Sequence, residues 1–531
     1  MEETVSDLPT ASGSSADYTD HDRHEDIKIL HGMGYAQELE RRMSKFSNFA
    51  ISFSIICILS GGINSLGQAT SGAGGAAIGI GWPVGVIISG LFALGLAQIS
   101  SAYPTAGGLY HWGSILGNRF TGWLSAWLNL LGLVTVLGAI NVGTYYFFFG
   151  AFGPSLGMED NNFNRVVFVA VITGLQALIN HFGIGLTAKL TDFSGYLIFF
   201  TAALLTVVCL IAADGFEIGR LFTFHNYTGD VGGGVWPTRV GIGMAFMLGL
   251  LLPVYTITGY DASAHTSEET VKAAHSVPAG MISSVFWSGL AGWIMLCSFV
   301  LMLPNMDDAA SQGWNVFFWA MDEQVNSGLK QFLYVLIFAA QFLCGLATVT
   351  SASRMLFAFS RDDGLPGVSK QLAHVSPKHR VPVSAIWASA ILAVLFVWFT
   401  SVVEVAGGSA YAIVVSCTVI FLFLSFTVPI ALGLIAIGGP KWPTMGPWDM
   451  GKSAYKFVAV LCIVAMAVLF FIGVQPPNQY AWRITIGFVV LAVLVWFAVE
   501  NRRFQGPPLG DDIAKRQEAI REAERAVGEQ G

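Results

Sequence analysis

The sequence predicts an all-α polytopic membrane protein with twelve transmembrane helices. Three observations carry this. Hydrophobic residues make up 54% of the 531 positions and charged residues only 11%, against roughly 25% charged in a typical soluble domain. The charged residues are gathered between long windows that contain none, and the basic ones fall mostly on one set of loops. Mean hydropathy is +0.62. So few charges cannot coat the three or four soluble domains, at about 150 residues each, that this length would otherwise suggest. A cytosolic enzyme, a nucleic-acid binder (net charge −7) and a disulfide-stapled secreted protein are excluded.

Ionisable side chains are expensive in hydrocarbon, so charge-free windows mark the spans. Residues 46–118 hold two helices of about 20 residues and a turn. The other windows are 120–158, 166–188, 193–213, 240–260, 273–306, 331–353, 381–403, 405–440, 457–482 and 484–499. They are continuously apolar and not alternating, which indicates helices and not barrel strands. Twelve spans put both termini on one side. With the termini inside, 22 of the 27 Lys and Arg lie on that face; Arg165, Arg220, Arg239, Lys330 and Arg483 lie outside. The positive-inside rule therefore predicts cytoplasmic termini.

Residues 1–45 are polar and acidic, lack the apolar core of a signal peptide, and are expected to form a disordered tail. Within it His21, His24, Glu25 and Asp26 read as solvated sequence ahead of metal ligands. Residues 46–500 form the membrane domain and 501–531 a charged tail, where Asp511–Val527 alternates charges as a surface helix does. The six cysteines have no CxxC spacing and read as packing residues. Neither a cofactor nor a metal is expected.

Two spans are interrupted. The first runs to Leu59 and then reads Ser60-Gly61-Gly62-Ile63, a glycine pair half-way along a helix. Glycine there weakens the helix and frees backbone for binding, or merely admits a neighbouring helix. The sixth runs to Leu252 and then reads Pro253-Val254-Tyr255-Thr256-Ile257-Thr258-Gly259-Tyr260-Asp261. Spans one and six open two five-helix halves, so the breaks correspond, as in carriers whose site lies between broken helices. The half-helix starting near Ile63 offers free N–H groups to a carboxylate. The one ending near Thr256 offers carbonyls to an ammonium. A zwitterion fits both. Asp261 reads as a cap for the second half-helix ahead of a partner for a cationic group. Glu268 and Glu269 read as solvated charges, and Tyr255 and Tyr260 as core aromatics or a lid.

The chain resembles the amino acid–polyamine–organocation superfamily, and within it the amino acid/choline branch with γ-aminobutyrate and bidirectional amino acid permeases. The resemblance rests on Ser60–Ile63, Tyr103–Trp112, Tyr260–Thr270, Ser353-Arg354 and Arg361–Pro366, and with the span count covers about residues 45–500. It implies a five-plus-five inverted repeat, about 46–213 and 240–440, with two further helices at about 455–500. It places a substrate carboxylate at Gly61, Gly62 and Ile63, the amine at the carbonyls of Tyr255–Thr258, and Tyr255 as the gate. Thr135, Gln341 and Thr348 are candidate walls, each equally a helix–helix hydrogen bond. Many relatives carry a lysine in helix five; the aligned position here is Ile198, and Lys189 reads as a positive-inside anchor. Either a proton then uses another group, or the protein exchanges or facilitates without that coupling, with sodium at Thr350 and Ser351 ranked last. The expected protein is a plasma-membrane permease for small amino acids or ω-amino acids such as γ-aminobutyrate. Choline, polyamines or basic amino acids are the alternative substrates, and a nutrient sensor with the same pocket is the alternative class.

Overall fold

A computed structural model describes residues 19–402, 410–508 and 510–528. Among the described residues the regular structure is helical, with only isolated bridges pairing Met43 with Thr270 and Ile437 with Trp442. The chain begins with α1 (Asp20–Gly32), α2 (Lys45–Ile56), α3 (Gly61–Asn64), α4 (Gly81–Ala102), α5 (Leu109–Leu116) and α6 (Arg119–Phe152). It continues through α7 (Asn162–His181), α8 (Ile184–Ala212), α9 (Ile242–Gly249), α10 (Leu251–Thr256), α11 (Ala262–His265) and α12 (Ala273–Met302). Its later helices of ten residues or more are α13 (Ser327–Arg361), α14 (Val383–Val402), α15 (Ala410–Ala436), α16 (Lys452–Gly473), α17 (Ala481–Val495) and α18 (Gln517–Ala526).

Eleven helical stretches among the described residues are long and apolar enough to cross a membrane, Lys45–Asn64 counting as one. The sixth expected span is the exception: its apolar helix is only Ile242–Thr256, because the chain leaves helical geometry after Thr256. The long helices α6 and α13 form the middle of the bundle. α15 packs along α6, α4 and α2 pack along α12, and α8 lies against α12 and α2. Outward-facing apolar side chains such as Phe193, Phe200, Ile211, Trp398 and Phe457 are more than half exposed, as expected of a surface solvated by lipid.

The described part of the N-terminal tail corrects the expectation of disorder. Thr19 and Asp22 form a capping box that starts α1. Leu30, Tyr35, Leu39 and Met43 are buried against the bundle. Averaged over 45 residues these four anchors are diluted by polar sequence, which is why composition missed them. Residues 1–18 lie outside the described residues. Asp26, expected to be solvated, is buried and accepts hydrogen bonds from the N–H groups of Lys272 (2.8 Å) and Ala273 (3.1 Å), capping α12. The C-terminal charged segment breaks at Arg516, and α18 buries Ile520 and Glu524. Glu524 accepts from Gln37 N–H (3.0 Å) and pairs with His31 Nε2 (2.7 Å), so the two tails meet.

Asp26→Ala removes the α12 cap and should cost about 1 kcal/mol. The expected outcome is a lower Tm of the detergent-solubilised protein, with Asp26→Asn intermediate; equal melting of all three would show that the cap is not formed.

Candidate functional site

Helix α2 ends because Cys57 adopts φ 24°, which takes the next residues out of helical register. The chain then turns through Leu59 and Ser60 and restarts at Gly61. Ser60 and Gly61 N–H groups both donate to the Cys57 carbonyl, at 2.8 and 3.1 Å. The carbonyls of the turn are met by α13. Gln341 Nε2 donates to the Leu59 carbonyl at 3.0 Å, while its Oε1 accepts from Asn64 Nδ2 at 3.3 Å. Cys344 Sγ donates to the Ile55 carbonyl at 3.2 Å. Gln341, a candidate wall, thus acts as a clamp across the first break.

The second break follows α10. Ile257 N–H closes the last turn on the Pro253 carbonyl at 2.8 Å, and Gly259 takes φ 95°. A Cβ on Gly259 would stand 2.3 Å from Ile55 Cγ2, so this position needs glycine for both space and conformation. The two breaks touch. A Cβ on Gly61 would lie 2.7 Å from Thr256 Oγ1 and 2.9 Å from Thr256 Cα. A Cβ on Gly62 would meet only the tips of Leu296 and Met295, at 3.8 Å or more. Of the pair, Gly61 is the one the close approach requires.

The structure therefore brings Ser60, Gly61 and Ile63 together with Tyr255, Thr256, Ile257 and Gln341, all of them buried. Thr258 and Tyr260 are buried with hydroxyls that have no protein partner, and the Tyr260 ring packs on Phe426 at 5.3 Å. Thr135 and Thr348 bond carbonyls of their own helices, Gly132 and Cys344, at 2.9 Å each. Thr350 donates to Asn180 Oδ1 at 2.7 Å, and Ser351 is buried without a partner for its hydroxyl. Ile198 is buried on α8, and Lys189 is exposed.

Asp261 does not cap. It stands before α11 with φ −66° and ψ −14°, already helical, whereas a capping residue is extended. The N–H that a cap would take, that of Ser263, donates instead to Ser52 Oγ at 3.0 Å. Asp261 Oδ2 lies 3.3 Å from both His265 Nε2 and Asn129 Nδ2. Helix α2 is lashed to α11 by further bonds: Ser52 Oγ donates to the Tyr260 carbonyl and Asn48 Nδ2 to the Ser263 carbonyl, at 2.9 and 3.0 Å.

Glu268 and Glu269 are fully buried, not solvated. Arg354 grips Glu269 through Nε (2.9 Å) and Nη2 (2.8 Å); Arg361 grips Glu268 through Nη1 (2.9 Å) and Nη2 (2.8 Å). Such two-point pairing offsets the burial of the charges. The arginines stand seven residues apart, two turns along one face of α13, so each meets one of the adjacent acids. Arg354 in an otherwise apolar helix was the available signal; its partner, 85 residues away, was not legible. Arg361 also lies 3.9 Å over the Tyr35 ring. Tyr35 Oη and Tyr110 Oη donate to Asp362 Oδ2 at 2.5 and 3.0 Å. Burial alone would raise the Asp362 carboxyl, but His111, Arg361 and the Tyr35 hydroxyl outweigh it and hold it below the usual carboxylate range. The depressed value adds stability at neutral pH that is lost as pH falls through it.

Residues 43–496 match a family model described as amino acid permease. The chain belongs to the amino acid permease family. Its members are transporters and not enzymes. This permease is similar to the amino-acid permease BAT1 of Arabidopsis thaliana, at 31% identity over 90% of this chain and 95% of the relative. It is 30% identical to the BAT1 homolog of Oryza sativa subsp. japonica, covering 90% of this chain and 94% of that one. The GABA-specific permease of Saccharomyces cerevisiae is 26% identical over 92% of this chain and 87% of its own length.

Removing one member of a buried pair strands the other charge, at about 3–5 kcal/mol. Glu269→Ala should therefore abolish monodisperse extraction of the permease, and Glu269→Leu with Arg354→Met should recover it. A double variant as unstable as the single one would show that the pair is not the cause.

Proposed function

We propose that this permease carries small amino acids or ω-amino acids, γ-aminobutyrate among them, across the plasma membrane by alternating access. The observation that carries the reading is the contact between the two helix breaks at Gly61 and Thr256. Past Gly61, whose N–H is held by Cys57, the new helix has the Gly62 and Ile63 N–H groups at its start, and a helix ending at Thr256 has free carbonyls. The substrate carboxylate sits on the amides of Gly62 and Ile63, beside Gly61. Its amine sits on the carbonyls of Tyr255–Thr258, and Tyr255 closes over it. Eleven long helices and the broken α9–α10–α11 segment make twelve spans, arranged as two inverted five-helix repeats plus two. Both termini are cytoplasmic, where the basic residues gather. Transport is proton-linked or by exchange. The name of the yeast relative, a GABA-specific permease, supports the substrate class. Asp261, turned to His265 and Asn129, weighs against a site built for dications.

Purified protein in liposomes should take up labelled γ-aminobutyrate saturably, in a panel of amino acids at two pH values with and without sodium. Binding without accumulation or exchange would leave only a sensor. Gly61→Val drives a branched side chain into Thr256 and should lower uptake by roughly tenfold to a hundredfold with insertion intact. Normal uptake by that variant would remove the carboxylate-site assignment.

A further inference from the structure

Asp261 and His265 are both fully buried, one helical turn apart, at the lower edge of the second break. The neighbouring acids Glu268 and Glu269 each hold an arginine by two bonds. Asp261 differs: among the described residues its only ion-pair partner is His265, at 3.3 Å. Its Oδ1 has no protein partner, and neither has Asn129 Oδ1 beside it.

The hydrogen bonds fix where the proton goes. His265 Nδ1 lies 3.1 Å from the Ala106 carbonyl, which only accepts, so this nitrogen carries a hydrogen. The other nitrogen, Nε2, faces Asp261 Oδ2. With no proton there, a lone pair and a carboxylate oppose each other at 3.3 Å. With one, the pair is either imidazolium–carboxylate or imidazole–carboxylic acid, and both are attractive. We infer that Asp261 and His265 form the proton-binding site that couples this permease to a pH gradient. The inference rests on the transport reading above and adds the coupling ion to it.

The surroundings isolate this proton. α6 presents the neutral Asn129, which also reaches Ser425 of α15 at 3.4 Å. α2 presents Asn48 and Ser52 to α11. The nearby charges are already paired: Arg354 of α13 with Glu269, Arg361 with Glu268, and His111 of α5 with Tyr35 and Asp362. On α12, Gly280 packs on Ser263, and the exposed His275 is turned to solvent. Tyr260, next in the chain, is buried with its hydroxyl unpartnered.

Occupancy is tied to conformation. Ala106, whose carbonyl holds His265, gives its N–H to Glu268 Oε1 at 3.1 Å. The turn at residues 105–108 is therefore held at two points, by Glu268 and by the imidazole whose other nitrogen faces Asp261. α11 is lashed to α2 through Ser263, so a shift at His265 bears on the inner parts of both broken helices. A proton that binds one arrangement better than the other shifts their balance by that difference.

The test uses the full chain in liposomes with a trapped pH dye and labelled γ-aminobutyrate. One proton carried per substrate lets a one-unit, acid-outside gradient sustain up to about tenfold accumulation, with the lumen acidifying in step. In Asp261→Asn and His265→Gln the ratio of protons to substrate should fall to near zero, with the substrate that still moves indifferent to outside pH. The ratio is read on whatever transport remains, so reduced rate does not mask it, and the second variant serves where the first is poorly extracted. An unchanged ratio in the variants, or uptake driven by a sodium gradient and blind to pH, overturns the proton site while leaving the transport reading. A wild-type protein that neither accumulates nor exchanges substrate overturns the transport reading and the coupling with it.

Discussion

A helix interrupted inside an apolar bundle exposes backbone N–H and C=O groups that no lipid can satisfy. Two such interruptions, after Ile56 and after Thr256, lie against each other, and much of the surrounding chemistry follows from the need to satisfy them. Gln341 and Cys344 of α13 meet the carbonyls of the first break. Ser52 and Asn48 of α2 meet the groups around the second. Gly61 and Gly259 lack side chains because Thr256 and Ile55 occupy the space. Partners taken up in this way hold the breaks open in one geometry, and the Gly62 and Ile63 amides remain for the proposed carboxylate site.

Below the breaks, the two tails close one end of the bundle. Asp26 caps α12, Gln37 donates to the Glu268 carbonyl, and Arg41 Nη1 donates to the Ser267 carbonyl at 2.9 Å. Glu524 of α18 meets Gln37 and His31 from the other side. The paired acids at 268 and 269 are therefore enclosed between α13 and the N-terminal segment. Burial of this kind is stable only when every charge has a partner, so the tails and the second break belong to one polar layer.

Much of the membrane character was legible. Charge-free windows of 20 or more residues identify long helices with no help from tertiary structure, because the cost of a charge in hydrocarbon is local. The glycine pair at 61–62 and the Pro253–Asp261 stretch marked both breaks for the same reason: a helix breaker acts on its own turn. Gln341 was visible as a polar residue in an apolar helix, though as a wall and not as a clamp. Leu30, Tyr35, Leu39 and Met43 were hidden in polar surroundings, so the ordered tail was missed. Asp261 looked like a cap since its type and position suit one; its helical φ and ψ, which exclude that role, are set by neighbours distant in sequence.

The amino-acid sequence by itself determined the solvent this protein lives in, the approximate spans, and where two of them fail as helices. These depend on side-chain transfer energies and backbone propensities summed over a few turns. Only the tertiary structure decided that the breaks touch, that Glu268 and Glu269 are enclosed by Arg361 and Arg354, and that Asp261 faces His265 and Asn129. Each is a pairing across segments, such as the 132 residues between Asn129 and Asp261. Spacing along the chain says nothing about which buried polar group another will meet; the packing of the helices does.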